Sequence, residues 1–295
     1  MPVSLKALWL LLRQTVLSWL DDNAPSMGAA LSFYTLFSLA PLMLIVVAVG
    51  GMLFGQEAAR GEIAAQLVLL MGSGGARAVQ DLLASVRQPE QGSLATVLGL
   101  VLLFLGATSV FAELQNALDR IWHAPSNARG GTWLALVRAR LLSFGMVLAI
   151  GFLLLVSLVF SAALALAGRW IEPVFGAWYA LAALSNALAA FALVTVLFAL
   201  IYKLMPRARV QWRDVWTGAL FTAMLFSFGR YLIGLYIGRS GVVSGFGAAG
   251  SLVVILLWVY YSAQIFLLGA EFTWVYANTF GSRQPGGEHA AVTTD

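Results

Sequence analysis

The chain of 295 residues contains no cysteine and only two histidines. Without cysteine there is no disulfide framework, no thiolate-held iron–sulfur cluster and no thiolate zinc site. The two histidines, His123 and His289, lie far apart in the sequence, and no HExxH or other metal-ligand spacing surrounds them. Charge is scarce too: Asp, Glu, Lys and Arg make up 10% of the residues, against about 25% in an ordinary soluble domain. What is abundant is apolar, at 61% of the chain. A soluble fold of this size cannot hide that much apolar surface. Low charge with 12% aromatics is also the opposite of a disordered chain. An integral membrane protein remains.

A spanning helix needs roughly 20 mostly apolar residues. Six stretches meet that requirement, at about 27–54, 93–116, 141–167, 178–202, 215–238 and 250–276. The expected fold is therefore all-α, with six transmembrane helices. Lys and Arg concentrate in cytoplasmic loops, and that bias sets the orientation. With the N-terminus inside, Lys6, Arg13, Arg120, Arg129, Arg138, Arg140, Lys203, Arg207, Arg209, Arg213 and Arg283 fall on the cytoplasmic side. Only Arg60, Arg77, Arg87, Arg169 and Arg239 fall outside, and Arg230 lies within a span. Both termini are expected in the cytoplasm. The same bias explains the net charge of +4 without nucleic acid as a partner.

Outside the spans, residues 1–23 place Leu5, Leu8, Trp9, Leu12, Val16 and Trp19 at helical spacing. This predicts an amphipathic helix, either lying in the inner interface or packed on the bundle. Asp21, Asp22 and Asn23 supply the turn into the first span. Residues 57–88 predict two short periplasmic helices capping the outer mouth, broken at Gly72-Ser73-Gly74-Gly75. That glycine run lacks the Gly-Lys-Ser/Thr ending of a phosphate loop. The membrane domain thus covers 24–280, and 281–295 reads as a disordered cytoplasmic tail.

Ionisable residues within spans are costly, so they mark candidate sites. Three qualify: Glu113, Arg230 and Glu271. At about 1.5 Å of rise per residue, both glutamates lie roughly 12–14 Å toward the cytoplasm from mid-span. On the same rise Arg230 lies roughly 6 Å toward the outside, which separates it from both. Ser32, Tyr34, Thr35 and Asn116 share the inner level with the glutamates, Asn186 shares the level of Arg230, and Gln264 lies near the middle. Such a set suits a partly hydrated path for a substrate. Each member also has a structural alternative: interfacial snorkelling for the glutamates, helix packing for the hydroxyls. Pro41 is expected to kink the first span, and Gly234-x-x-x-Gly238 to allow close helix approach.

The first span reads Ala30-Leu31-Ser32-Phe33-Tyr34-Thr35-Leu36-Phe37-Ser38-Leu39-Ala40-Pro41-Leu42. The last contains Gly250-Ser251-Leu252, Leu256-Leu257-Trp258-Val259-Tyr260-Tyr261-Ser262-Ala263 and Leu268-Gly269-Ala270-Glu271. With Asn116 and the Pro206, Trp212 and Gly218 stretch, these segments resemble the YihY/BrkB family of bacterial inner-membrane proteins. The resemblance covers about 10–280. It implies six spans in the bacterial cytoplasmic membrane and an unsettled activity, with ribonuclease, serum-resistance and virulence labels among members and envelope lipid transport suggested. Two functions are open: a transporter moving a lipid or an anionic or amphipathic solute, and a non-catalytic scaffold for envelope-building machinery. For the first, Arg suits an anionic headgroup because its planar fork donates bidentate bonds. An enzyme, ribonuclease included, is not expected. No cofactor is implied, and metal-assisted cleavage needs gathered ligands that the sequence does not offer.

Overall fold

The computed structural model describes residues 5–54, 61, 64, 67–68, 74–81, 109–124, 178–239 and 249–284. Every regular element among them is helical. Five long helices carry the fold: α1 (Leu5–Asp21), α2 (Ala24–Phe54), α3 (Trp178–Leu204), α4 (Trp212–Arg239) and α5 (Gly250–Thr279). Shorter helical segments cover 74–81 and 109–121. Among the described residues three stretches are long and apolar enough to cross a membrane: Ala187–Leu204, Trp212–Ile237 and Gly250–Thr279. They correspond to the last three expected spans. The expected span at 141–167, and most of that at 93–116, lie outside the described residues.

Local chemistry sets the ends of these helices. The α1–α2 turn passes through Asn23 at φ 59°, a left-handed conformation that Asn tolerates better than most residues. Asn23 Oδ1 then accepts from Ser26 Oγ at 3.0 Å. Pro25 falls in the first turn of α2, where its missing N–H costs nothing. The 109–121 segment stops at His123, φ 47°, and Ala124 N closes back onto Asp119 O at 2.8 Å, as in a Schellman ending. Lys203 in the last turn of α3 and Asp214 in the first turn of α4 each complement a helix dipole.

The core is built around α5, which packs against α1, α2 and α4, while α3 packs on α4. The α4–α5 pair is antiparallel. Asp214 meets Ser282, Phe221 stacks on Phe272 with ring centroids 3.9 Å apart, and Ile233 and Ile237 share a cluster with Val254 and Ile255. Their closest approach is a reciprocal exchange: a Cβ on Gly218 would overlap Thr273, and one on Gly269 would overlap Thr222. Each helix thus presents glycine and, one turn on, threonine. This is the small-xxx-small geometry that membrane helices use for close packing. Gly229 similarly admits Ile265 and Tyr261.

Among the described residues, nothing lies within 4 Å of a Cβ placed on Gly234, and close approach occurs at Gly218, Gly229 and Gly269; the surroundings of Gly238 lie outside the described residues. Of the expected break at 72–75, Gly74 and Gly75 belong to the helical segment 74–81, and residues 72 and 73 lie outside the described residues. The helix α2 runs unbroken through Pro41.

The N-terminal helix combines the two alternatives left open by its sequence. Leu11 and Thr15 are buried, Leu11 against Phe272 and Val275 of α5. Leu8, Trp9, Leu12 and Val16 stay exposed as an apolar stripe on the outer face. The start of the expected free tail is held: Ser282 and Arg283 bond to the α3–α4 region. Residues 285–295 lie outside the described residues.

Candidate functional site

The candidate site lies where the α1–α2 turn, the end of the 109–121 segment, the α3–α4 connection and the end of α5 converge. Polar contacts are dense there. Arg120 Nε lies 3.8 Å from Asp22 Oδ1, and Arg207 Nε lies 3.4 Å from Asp119 Oδ2. The Arg207 backbone N–H also donates to Asp119 Oδ1 at 2.7 Å. Burial raises the Asp119 carboxyl above its ordinary range, partly offset by that N–H and by the Arg207 charge. Asp214 is fully buried and accepts from Ser282 Oγ at 2.5 Å. Arg283 donates to Arg209 O at 3.1 Å and lies 5.0 Å above the Trp122 ring. Lys203 donates to Val210 O at 2.5 Å and lies 5.5 Å from the Trp212 ring centroid.

A second, apolar layer backs these contacts. Tyr202 of α3 is fully buried; its hydroxyl donates to Phe266 O of α5 at 2.7 Å and meets Thr222 Oγ1 of α4 at 3.0 Å. One phenol thereby ties three helices. Around it pack Phe198, Phe266 and Leu267.

Glu271 sits against this layer with no exposed surface, and neither carboxyl oxygen has a hydrogen-bond partner among the described residues. The Asp22 and Asp21 carboxyls of the α1–α2 turn lie close enough for their charges to act on it. Two turns earlier on the same face of α5, Gln264 Nε2 donates to Pro25 O of α2 at 3.4 Å. Among the described residues its buried Oε1 has no partner, and the buried indole N–H groups of Trp19 and Trp122 have no acceptor. Unpaired polar atoms of this kind are rare in folded interiors and call for an explanation.

The other sequence candidates are dispersed. Ser32 is buried, but its hydroxyl returns to Ala29 O at 2.8 Å. Tyr34 is exposed and lies edge-on to Phe33. Thr35 is half-buried, and its carbonyl accepts from Ser38 Oγ. Glu113 is half-buried and Asn116 exposed on the 109–121 segment. Asn186 falls in α3, with its side chain outside the described residues. Arg230 is half-buried on α4. The pairing of Gly218 with Thr273 and Thr222 with Gly269 sets position 220 level with Glu271, so Arg230 lies roughly 15 Å further along the bundle. The structure therefore keeps Arg230 and Glu271 at separate levels. Sequence reading treated Asp22 as a turn residue and singled out neither Asp214 nor Tyr202. The Gly-x-x-x-Thr pairs at 218–222 and 269–273 were the available signal for the crossing.

Residues 15–294 match the family model described as Virulence factor BrkB. A membrane protein described as UPF0761 from Pseudomonas paraeruginosa is 28% identical over 258 residues, covering 85% of this chain and 59% of its own length. Similar proteins occur in Pseudomonas aeruginosa, also 28% identical over 85% of this chain and 59% of the relative, and in Xanthomonas campestris, 28% identical over 86% and 57%. The chain thus spans under two thirds of the length of these relatives. No solved structure matches it.

Proposed function

The chain belongs to the family of the virulence factor BrkB, and from that premise we propose that this membrane protein translocates a lipid or an anionic, amphipathic solute. The observation that carries the reading is Glu271, a carboxyl buried inside an apolar helix with no donor to either oxygen among the described residues. Such a group is costly in a span and has no packing purpose that Leu or Gln would not serve better. Gln264 extends the polar stripe by two turns along α5. Arg230, half-buried at a different level of α4, is the group to meet an anionic headgroup by bidentate bonding.

On this reading the remaining topology follows the sequence. Six spans lie in a bacterial inner membrane with both termini cytoplasmic, and the end carrying Arg120, Arg207, Arg209 and Arg283 faces the cytoplasm. The protein acts without a catalytic residue or cofactor, and nucleic acid is no partner. Headgroup translocation of a labelled anionic lipid in proteoliposomes tests the proposal. Wild type moves the lipid, and Arg230→Ala and Glu271→Gln each slow it by about tenfold or more, the equivalent of one hydrogen bond to a charged group. Wild-type rates in both variants overturn the site. No activity from folded wild-type protein overturns unaided lipid translocation in favour of another solute or the scaffold reading.

A further inference from the structure

One side of α4 is exposed along much of its length. Arg213, Trp216, Leu220, Met224 and Tyr231 follow one another at intervals of three, four or seven residues and so share a helix face. All of them are exposed, whereas Val215, Thr222 and Ile233 on the opposite side are buried. The stretch Trp212–Ile237 is long and apolar enough to cross a membrane. The exposed face therefore runs from a charged end at one membrane surface into hydrocarbon. At that end Lys203 Nζ lies 5.5 Å from the Trp212 ring centroid, and the Trp212 and Trp216 centroids are 6.4 Å apart. In helical register Trp216 falls between Trp212 and Arg213, one turn further in. A cation thus stands on either side of the indole pair. Lys203 gives an N–H to Val210 O, and an ammonium has two more to offer. Among the described residues no carboxylate is ion-paired with Lys203, Arg213 or the exposed Arg209. The acids of this end are engaged elsewhere: Asp22 with Arg120, Asp119 with Arg207, and Asp214, on the buried side, with Ser282.

We propose that this corner holds an anionic phospholipid of the leaflet at the Asp214 end, its headgroup on Lys203, Arg213 and the Trp212–Trp216 pair and an acyl chain along Leu220 and Met224. The Arg213 fork suits a phosphate, and the Lys203 ammonium supplies a second charge beside it. A zwitterionic headgroup would set its own ammonium against that second cation, with no acid to meet it. Indoles at a membrane surface place rings against the chain and N–H groups toward the head. A free phosphate would use the cations and leave the apolar face below them bare. The site is distinct from Glu271 and Arg230, and it holds a lipid whether or not the protein moves one.

Native mass spectrometry of the full chain, titrated in detergent with phosphatidylglycerol or phosphatidylcholine, tests the proposal. Wild type is expected to retain phosphatidylglycerol in clear preference to phosphatidylcholine. Arg213→Gln should weaken that retention about fivefold, the worth of one cation beside an anionic lipid, and Arg213→Glu should weaken it further. Leu184→Ala, on an exposed part of α3, should leave it unchanged. These positions are exposed, so the variants are expected to keep the helical circular dichroism of wild type. Equal retention of the two lipids overturns the proposal. So does phosphatidylglycerol retention in Arg213→Glu that matches wild type, or its full displacement by inorganic phosphate, which would make this a site for the free anion. The readout needs no transport: lipid bound without translocation upholds this site and counts only against the transport reading.

Discussion

The two ends of the α4–α5 pair are held by different forces. At the end near Asp214, hydrogen bonds and ion pairs join four separate parts of the chain: Ser282 to Asp214, Arg283 to Arg209, Arg207 to Asp119 and Arg120 to Asp22. At the other end, Ala76, Ala78 and Val79 of the 74–81 segment lie against Ile233, Ile237, Val254 and Ile255, a contact of aliphatic groups. Polar bonds fix direction and register, whereas aliphatic contacts fix only proximity. The difference locates specificity at the Asp214 end and leaves the far end a seal. Between the two lies the Gly–Thr exchange, on which both depend.

The largest expected effect comes from breaking that shared middle. Gly269→Leu would drive a side chain into Thr222 and the Tyr202 hydroxyl. A loss of about 3 kcal/mol is expected, the upper part of the overpacking range, read as a fall in the thermal midpoint in detergent. Gly234→Ala, which meets nothing within 4 Å among the described residues, should stay within about 0.5 kcal/mol of wild type. Equal losses from the two changes would show that close packing at Gly269 is not what holds α4 to α5.

A smaller effect sharpens the contrast between the ends. Asp214→Ala removes the acceptor for the Ser282 hydroxyl and backbone N–H. It should cost about 1–2 kcal/mol and expose the chain after α5 to protease. Ile255→Val at the aliphatic end should cost about 0.5–1.5 kcal/mol and leave that cleavage unchanged. Cleavage that rises in both variants would mean that the two ends do not differ as described.

The smallest effect concerns Asp119. Burial raises its carboxyl above the ordinary value of 3.8, so the folded protein binds this proton more tightly than the unfolded chain. The contribution to stability is then fully present below the unfolded value and is lost as pH rises through the folded one. Asp119→Asn should flatten this slope just above pH 3.8 and change neutral-pH stability by less than about 1 kcal/mol, since the Arg207 partner is largely exposed. Denaturant titrations across the acid range measure it; an unaltered slope would assign the pH dependence elsewhere.

Much of the helical layout was legible because it rests on unbroken apolar runs. Expected spans at 178–202, 215–238 and 250–276 fall within α3, α4 and α5, and α1 falls within the N-terminal helix expected at 1–23. Membership of the BrkB family was legible as well, because the ordered segments around Pro41 and Glu271 are specific in combination. The site was legible only in part. Glu271 stood out because a lone carboxyl in an apolar run is conspicuous. Asp22 did not, since in Asp-Asp-Asn it has the chemistry of any helix-joining turn, and its ion pair with Arg120 is a tertiary fact. Tyr202 was hidden for the opposite reason: a tyrosine near the end of a span is ordinary at an interface, and its three-helix contact is a tertiary fact. Gly234 and Gly269 look alike in the sequence, because spacing reveals which glycines can admit a neighbour and not which neighbour arrives.

The Gly–Thr exchange has a consequence for biogenesis. Thr222 Oγ1 donates to Gly218 O and Thr273 Oγ1 to Gly269 O, each at 2.7 Å within its own helix. Neither helix needs the other to satisfy these hydroxyls. Each can therefore enter lipid singly with its threonine already paired, and the two can meet later with only close packing left to gain. A pause between the entry of α4 and that of α5 then strands neither threonine hydroxyl in hydrocarbon.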